Sequence, residues 1–245
     1  MKLIDIHTHL IPNVDDGADS IEETLKLAQT AVDEGIKHTV LTPHHNKYWV
    51  TNEKEKVLRL TKKVENVIDE AGIPLSVSPG QEIRMNEEFL EDLFNDNYLS
   101  IDANGKYYLV EFSWQTFPSF AKDYLQQMLD ADIIPVIAHP ERQQPFIENP
   151  NILRVLINMG CISQITATSI VGGYTEEIRQ TAYQMMRENL IHVIASDAHD
   201  TVVRPYNLNQ ALKILKLEFG TEYADYLIQN AERIFKGEKV ITFKN

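Results

Sequence analysis

The chain has 245 residues, 43% hydrophobic and 24% charged, which is ordinary for a globular protein and enough for one large core. Its formal net charge of −13 speaks against nucleic acid and against anionic membrane surfaces, both of which reward clustered Lys and Arg. A single cysteine, Cys161, excludes an intrachain disulfide and points to a reducing compartment.

Strand-like and helix-like stretches alternate along the chain. The first apolar run, Leu3–His9, is broken too early by Asp5, His7 and His9 to be a signal peptide, so a cytoplasmic location is expected. Strand parity places His7 and His9 on one face. Two histidines buried there without a ligand would be costly, so a shared metal is expected. Asp5 has the same parity and is expected to orient one of them. Asp16 lies in the following loop beside Asp15, which is chemically equivalent.

Helical periodicity over Ile21–Glu34 stops at Gly35, and the second run, Thr39–His44, closes on His44. His45 has the opposite parity and is left out of the ligands. A helix over Lys54–Glu70 and a Gly72-Ile73-Pro74 break lead to Leu75–Glu82, closing on Glu82. A helix over Glu87–Asn95 precedes Tyr107–Phe112, which carries Glu111. Phe120–Ala131 leads into Ile133–His139, where Pro140 ends the strand and is expected to present Glu141 and Arg142 at its tip. Asn149-Pro150 and Gly160 bracket a helix over Asn151–Met159, and a sixth strand, Cys161–Thr166, shows no obvious ligand. Glu176–Glu188 precedes Ile191–Asp197, which closes on Asp197 with His199 and Arg204 beyond. Helices over Leu208–Phe219 and near Tyr223–Phe235, then a short tail, complete the chain. His38 and His192 fall at strand starts, hence at the opposite end.

Alternating β and α units imply a parallel sheet covered by helices. Ligand-type residues after six of the seven strands favour a closed barrel over an open doubly wound sheet, whose site gathers at one switch point. With no linker-like segment, one domain spanning 1–245 is expected. No apolar run is long enough to cross a bilayer. Taken alone, Asp197-x-His199 reads as a helix cap with a surface histidine. In a closed barrel, however, strands one and seven are neighbours, and the ligand reading prevails. Nitrogen and carboxylate donors of this kind suit zinc, manganese or iron. An isolated arginine usually pairs with a carboxylate, but Arg142 and Arg204 together beside a metal site suit a phosphate. Covalent signatures are missing: Ala167 stands six residues after Cys161, Asp130 and Asp132 end a helix, and neither a Walker loop nor a G-x-S-x-G elbow occurs. The remaining nucleophile is a metal-bound hydroxide.

The motifs His7-Thr8-His9, Val14-Asp15-Asp16-Gly17-Ala18, Thr42-Pro43-His44, Pro79-Gly80-Gln81-Glu82-Ile83-Arg84, Val110-Glu111-Phe112, Ala138-His139-Pro140-Glu141-Arg142 and Ser196-Asp197-Ala198-His199 resemble the polymerase-and-histidinol-phosphatase (PHP) superfamily. Within it the chain most resembles bacterial manganese-dependent tyrosine-protein phosphatases of capsule and exopolysaccharide loci. The resemblance implies an α/β fold, a distorted (β/α)7 TIM-like barrel of the PHP type, holding three divalent metal ions, manganese first, with iron or zinc also suited. It implies that His7, His9, Glu82 and Asp197 hold the first metal. Glu82 would bridge to a second metal with Glu111 and His139, and Asp16, His44 and His199 would hold the third. Arg142 and Arg204 would bind phosphate, and His199 or a metal-bound water would supply a proton. Thr168 and Ser169 lie in a loop that departs from relatives richer in serine and glycine. Three such ions (+6) against the four carboxylates among these ligands (−4) would leave a local charge of +2 in an acidic protein, attractive to a phosphoryl group. The implied activity is that of a protein-tyrosine phosphatase, a metal-dependent phosphoric monoester hydrolase. Its implied substrate is a phosphotyrosine protein, the tyrosine-rich tail of a bacterial tyrosine kinase that regulates polysaccharide synthesis. Competing readings are a small-molecule phosphatase such as histidinol-phosphate phosphatase, a non-catalytic metal-stabilised regulatory module, and a barrel amidohydrolase. The last usually has a modified lysine where Glu82 stands.

Overall fold

The structure, a computed structural model, describes residues 3–46, 50–102 and 104–243. The two residues at each end of the chain lie outside the described residues, so the expected tail is seen only to Phe243.

Among the described residues the elements run, in chain order, β1 (Leu3–Thr8), α1 (Ile21–Asp33), β2 (Ile36–Leu41), β3 (His44–His45), α2 (Lys54–Glu70), β4 (Ser76–Pro79), β5 (Glu82–Arg84), α3 (Phe89–Phe94), β6 (Tyr107–Glu111), α4 (Ala121–Asp130) and β7 (Ile134–Ala138). A 3₁₀ turn at Pro140–Arg142 follows, then α5 (Gln144–Glu148), α6 (Asn151–Met159), β8 (Ile162–Thr166), α7 (Ala167–Val171), α8 (Glu176–Arg187), β9 (Val193–Ala195), α9 (Leu208–Glu218) and α10 (Thr221–Phe235). The strands form two parallel ladders, β1-β2-β4 and β3-β5-β6-β7-β8-β9.

Two expected strands are each broken in two. Thr39–His44 splits at Thr42-Pro43 and Leu75–Glu82 at Gly80-Gln81. Pro43 has no N–H to give to a ladder, and at the second gap the Gln81 side chain donates to the Asn52 carbonyl and accepts from the Leu99 N–H. Register is kept across the break: Leu41 pairs with Pro79 and His44 with Glu82. The strand pairs therefore act as seven βα units in chain order. The ring closes where the first unit meets the last. Thr8 bridges to Ala198, the His9 N–H donates to the Ala198 carbonyl at 2.9 Å, and the Asp197 N–H donates to the His7 carbonyl at 3.0 Å. The result is a distorted (β/α)7 barrel.

Inside the ring, Ile4, Ile6, Val40, Leu109, Val136 and Val193 form one apolar cluster, joined by Ala231 and Ile234 of α10. A larger cluster lies between strands and helices, with Leu27, Val57, Leu125, Leu153, Met185 and Leu212 supplying helix faces. Each side chain of that size contributes about 1.5–3 kcal/mol on burial, so the strand tips rest on a stiff base. The short α5 and α7 and the 3₁₀ turn were not expected from periodicity, which five residues cannot display. The helix expected over Glu87–Asn95 is trimmed to Phe89–Phe94.

Candidate metal centre

The loop after β1 carries the two adjacent aspartates and turns tightly on Gly17, where a Cβ would stand 2.3 Å from the His9 carbonyl oxygen. That turn separates the roles of the pair. Asp15 faces backward: its Oδ2 accepts from His9 Nδ1 at 2.8 Å and from the His44 N–H at 2.9 Å. Asp16 faces the donors, its Oδ1 lying 3.2 Å from His44 Nε2 and 3.5 Å from His199 Nε2.

At the centre, four buried atoms converge: His7 Nε2, His9 Nε2, Glu82 Oε2 and Asp197 Oδ1. The two nitrogens are 3.2 Å apart. His7 Nε2 is 3.3 Å from Glu82 and 3.2 Å from Asp197, and His9 Nε2 is 3.4 Å from each. Ligands about 2.1 Å from one tetrahedral cation would be separated by about 3.4 Å. Among the described residues, neither Glu82 Oε2 nor Asp197 Oδ1 finds a well-directed hydrogen bond, despite the imidazoles close by. These atoms are aimed at a common point rather than at one another, which is the arrangement a cation requires. The donors fit a metal.

Further donors extend the cluster. Glu82 Oε1 meets His139 Nε2 at 2.6 Å, while Glu82 Oε2 meets His44 Nδ1 at 2.7 Å and Glu111 Oε2 lies 3.9 Å from the same nitrogen. His44 thus presents one nitrogen toward Glu82 and Glu111 and the other toward Asp16. Among the described residues, three groupings have all donors within 4.8 Å of one another: His7, His9, Glu82 and Asp197; His9, Asp16, His44 and His199; and His44, Glu82 and Glu111. The first matches the expected first-metal set. The other two join His44 to the expected second set and His9 to the third, and His139 reaches the second through Glu82.

Supporting contacts fix the rings. Gln164 Oε1, on the sixth strand where no role was expected, holds His7 Nδ1 at 2.9 Å. Asp5 was expected to orient an imidazole but does not. The register of β1 slips between Asp5 and Thr8, and its Oδ1 accepts instead from the N–H groups of Ser196 and His7. His199 Nδ1 donates to the Asp197 carbonyl at 2.8 Å, leaving Nε2 as the lone-pair nitrogen turned to the donors. Arg84 pairs with Glu111 at 3.1 Å. His45 turns away to the Asn52 carbonyl, and His38 and His192 bond Ser78 and Ser163, away from the donors.

Both arginines sit against donor carboxylates. Arg142 Nη2 meets Asp197 Oδ2 at 2.5 Å, and Arg204 Nη2 meets Asp16 Oδ2 at 3.1 Å. Glu141, expected at the mouth, is instead fully buried, accepting from the Thr166 N–H and the Ser169 hydroxyl. Thr168 and Ser169 are likewise buried. A separate cavity of about 490 Å³, lined by His45, Asn46, Lys54, Asp92 and Tyr98 among others, holds none of the expected ligands.

Electrostatics follows from this crowding. Burial opposes charge on His44, but Glu82 and Asp16 together outweigh it and lift the imidazole to about 9. Burial likewise opposes charge on Glu82, yet His44, His7 and His139 together hold it well below the carboxylate range. Asp197 is held down against its burial, chiefly by Arg142 and His7. His139 is driven the other way, to about 3, by burial and by Arg142. Carboxylates kept ionised in a dry site are what a divalent cation binds best.

Comparison with known proteins gives a consistent result. The model of the family described as "Capsular polysaccharide synthesis, CpsB/CapC" matches residues 3–236. The chain is 37% identical to the tyrosine-protein phosphatase YwqE of Bacillus subtilis over 97% of its own length and 93% of that protein's. It is 31% identical to the tyrosine-protein phosphatase CpsB of Streptococcus agalactiae over 97% of its own length and all of that protein's. Among solved structures, one from work on YwqE of Bacillus subtilis and CpsB of Streptococcus pneumoniae, described as unique metal-dependent tyrosine phosphatases, superposes with a TM-score of 0.95 at 36% identity. It covers 98% of this chain and 97% of that one. A phosphotriesterase homology protein of Escherichia coli shares the fold at a TM-score of 0.58 and 13% identity.

Proposed function

The chain belongs to the CpsB/CapC family of capsular polysaccharide synthesis, and from that premise we propose that it is a metal-dependent protein-tyrosine phosphatase. The observation that carries this reading is the convergence of His7, His9, Glu82 and Asp197, with the two imidazole nitrogens 3.2–3.4 Å from each other and from both carboxylates, and two arginines on the same carboxylate cluster.

In this reading His7, His9, Glu82 and Asp197 hold one divalent cation, Glu82, Glu111 and His139 a second, and Asp16, His44 and His199 a third. Manganese is the first choice, with iron or zinc also matching the donor chemistry. When bound, the cations activate water at neutral pH and neutralise charge on the phosphoryl group. Arg142 and Arg204 take the non-bridging oxygens, each turning part of its fork from a carboxylate to the phosphate. Asp197 links the two tasks, since one oxygen faces the histidines while the other holds Arg142. His199 serves as a ligand rather than a proton donor, because its one proton is committed to the Asp197 carbonyl. A tyrosyl leaving group, with a pKa of about 10, needs less proton assistance than an alkyl alcohol.

The substrate proposed is a phosphotyrosine protein, specifically the tyrosine-rich tail of a bacterial tyrosine kinase in polysaccharide synthesis, met in the cytoplasm. Capsule synthesis as the family's setting supports this choice of partner. No helix among the described residues is long and apolar enough to cross a membrane.

The test is turnover by chelator-stripped protein with manganese, iron or zinc added back, against phosphotyrosine peptide and histidinol phosphate. Metal-dependent hydrolysis of the peptide is expected, and Asp197→Ala or Arg142→Ala should lower it at least 100-fold. A metal-loaded protein that hydrolyses only histidinol phosphate, or no phosphoester at all, would overturn the proposal.

A further inference from the structure

Cations and arginines grip phosphoryl oxygens, which every phosphate monoester possesses. Selection of an aryl ester must therefore come from groups beyond them. Two aromatic residues, neither singled out by sequence, stand where such selection would occur. Trp114 covers Arg142 with its guanidinium carbon 5.3 Å from the ring centroid, and the indole lies within 10° of parallel to the His139 ring, centroids 6.1 Å apart. Tyr174 meets the same guanidinium from its hydroxyl end: Nη1 donates to the Oη at 2.8 Å. Arg142 is only 7% exposed, and its Nε–H has no hydrogen-bond partner among the described residues.

Both aromatics are held by packed loops. Phe117 packs on Phe112 and Phe146, and the Gln144 N–H donates to the Trp114 carbonyl at 2.8 Å. Ahead of Tyr174 the chain turns at Gly173, whose N–H donates to the Thr168 carbonyl and whose Cβ, if present, would stand 2.5 Å from the Thr168 methyl. Trp114 and Tyr174 themselves are only partly buried. Indole and guanidinium faces attract, and an aryl ring gains further by packing on indole.

We infer that Trp114 and Tyr174 form the aryl-selecting edge of the site. Trp114 packs against the substrate's phenyl ring, and Tyr174 acts as a positioning residue that fixes the Arg142 fork between its own hydroxyl and Asp197. A phosphate on Arg142 leaves the phenyl ring one ester oxygen away, next to the indole, while an alkyl ester leaves that face bare. The inference rests on the phosphatase reading above.

The experiment uses the full chain loaded with manganese, comparing phenyl phosphate with β-glycerophosphate and taking inorganic phosphate as competitive inhibitor. Trp114→Ala should raise KM for phenyl phosphate on the order of tenfold more than it raises KM for β-glycerophosphate or the inhibition constant of inorganic phosphate; Trp114→Phe should recover most of the difference. Tyr174→Phe keeps the ring, so it should lower kcat and weaken inorganic phosphate for both esters alike. Equal losses on both esters in Trp114→Ala would overturn the inference. So would transfer of the aryl preference to Val202 and Val203, which are 83% and 73% exposed beside Arg204, as shown by loss of selectivity in a Val202→Ser, Val203→Ser double variant. If the wild type hydrolyses neither of these esters nor phosphotyrosine peptide, the phosphatase reading fails. The aryl edge is then decided by binding, with Trp49→Phe leaving Trp114 as the sole tryptophan, excited at its red edge, beyond tyrosine absorption. Quenching by phenyl phosphate at no lower concentration than by inorganic phosphate would overturn it.

Discussion

His139 and Asp197 adopt left-handed backbone torsions, with φ of +32° and +56°. Such conformations cost about 1–3 kcal/mol in non-glycine residues and persist where the surroundings over-determine them. Here they turn the two side chains back over the strand tips toward Glu82 and Arg142. A comparison of His139→Gly with His139→Ala separates strain from ligation: both should abolish most turnover, while the glycine variant should unfold about 1 kcal/mol later than the alanine variant in metal-free denaturant melts. Equal stabilities would mean that the torsion stores no strain. Asp15 supports a second expectation. Because it holds the far nitrogen of His9, Asp15→Asn should weaken cation binding about 10- to 100-fold with the fold intact, as read by competition with a chromophoric chelator. Unchanged affinity would show that His9 needs no such support. At this scale the sequence was most legible where chemistry is rare, as in a histidine or glutamate closing an apolar run. Asp15 and Asp16 were not separable, since only the turn on Gly17 decides which one faces inward. Gln164 carried no signal at all, because a mid-strand amide looks the same whether it holds a histidine or merely fills space.

Between elements, the joint of β8 and β9 carries a pH dependence. The His192 Nδ1 accepts from the Ser163 N–H, and burial holds the imidazole near 4, below its ordinary value of about 6.5. Protonation would set two N–H groups against each other. Between about pH 6.5 and 4 the unfolded chain therefore binds more protons than the native one. Stability is complete above that window and falls as the pH drops through it, by up to about 3 kcal/mol. Urea midpoints at pH 7 and pH 4 should show the wild type losing more than His192→Gln by that amount; parallel losses would remove His192 from the account. Alternation and apolar runs made every long helix and all seven strand units readable. The interruptions at Pro43 and Gly80 were not, because each unit keeps its register and hydrophobic character on both sides of the gap.

Across the molecule, the centre draws donors from units throughout the ring, so bound cations act as a clasp between distant parts of the chain. Cations that bind only the folded form at about 100 times their dissociation constant add about 2.7 kcal/mol. Stripping them with a chelator should lower the melting temperature by roughly 5–10 °C in scanning fluorimetry, and re-addition should restore it. A melting temperature indifferent to the chelator would contradict a buried multi-cation centre. Barrel closure itself was anticipated from the placement of ligands after successive strands, a pattern an open sheet does not produce.

The Thr8–Ala198 bridge has a further bearing on how the protein is made. A growing polypeptide leaves the ribosome with His7 and His9 first and with Asp197 and His199 some 190 residues later, a delay of roughly 10–40 s at ordinary elongation rates. Throughout that interval the half-built ring has an open seam and an incomplete donor set. Capture of the first and third cations, whose donors include Asp197 and His199, therefore waits for the last strand, and translation products that stop short of it should leave the ribosome without those two.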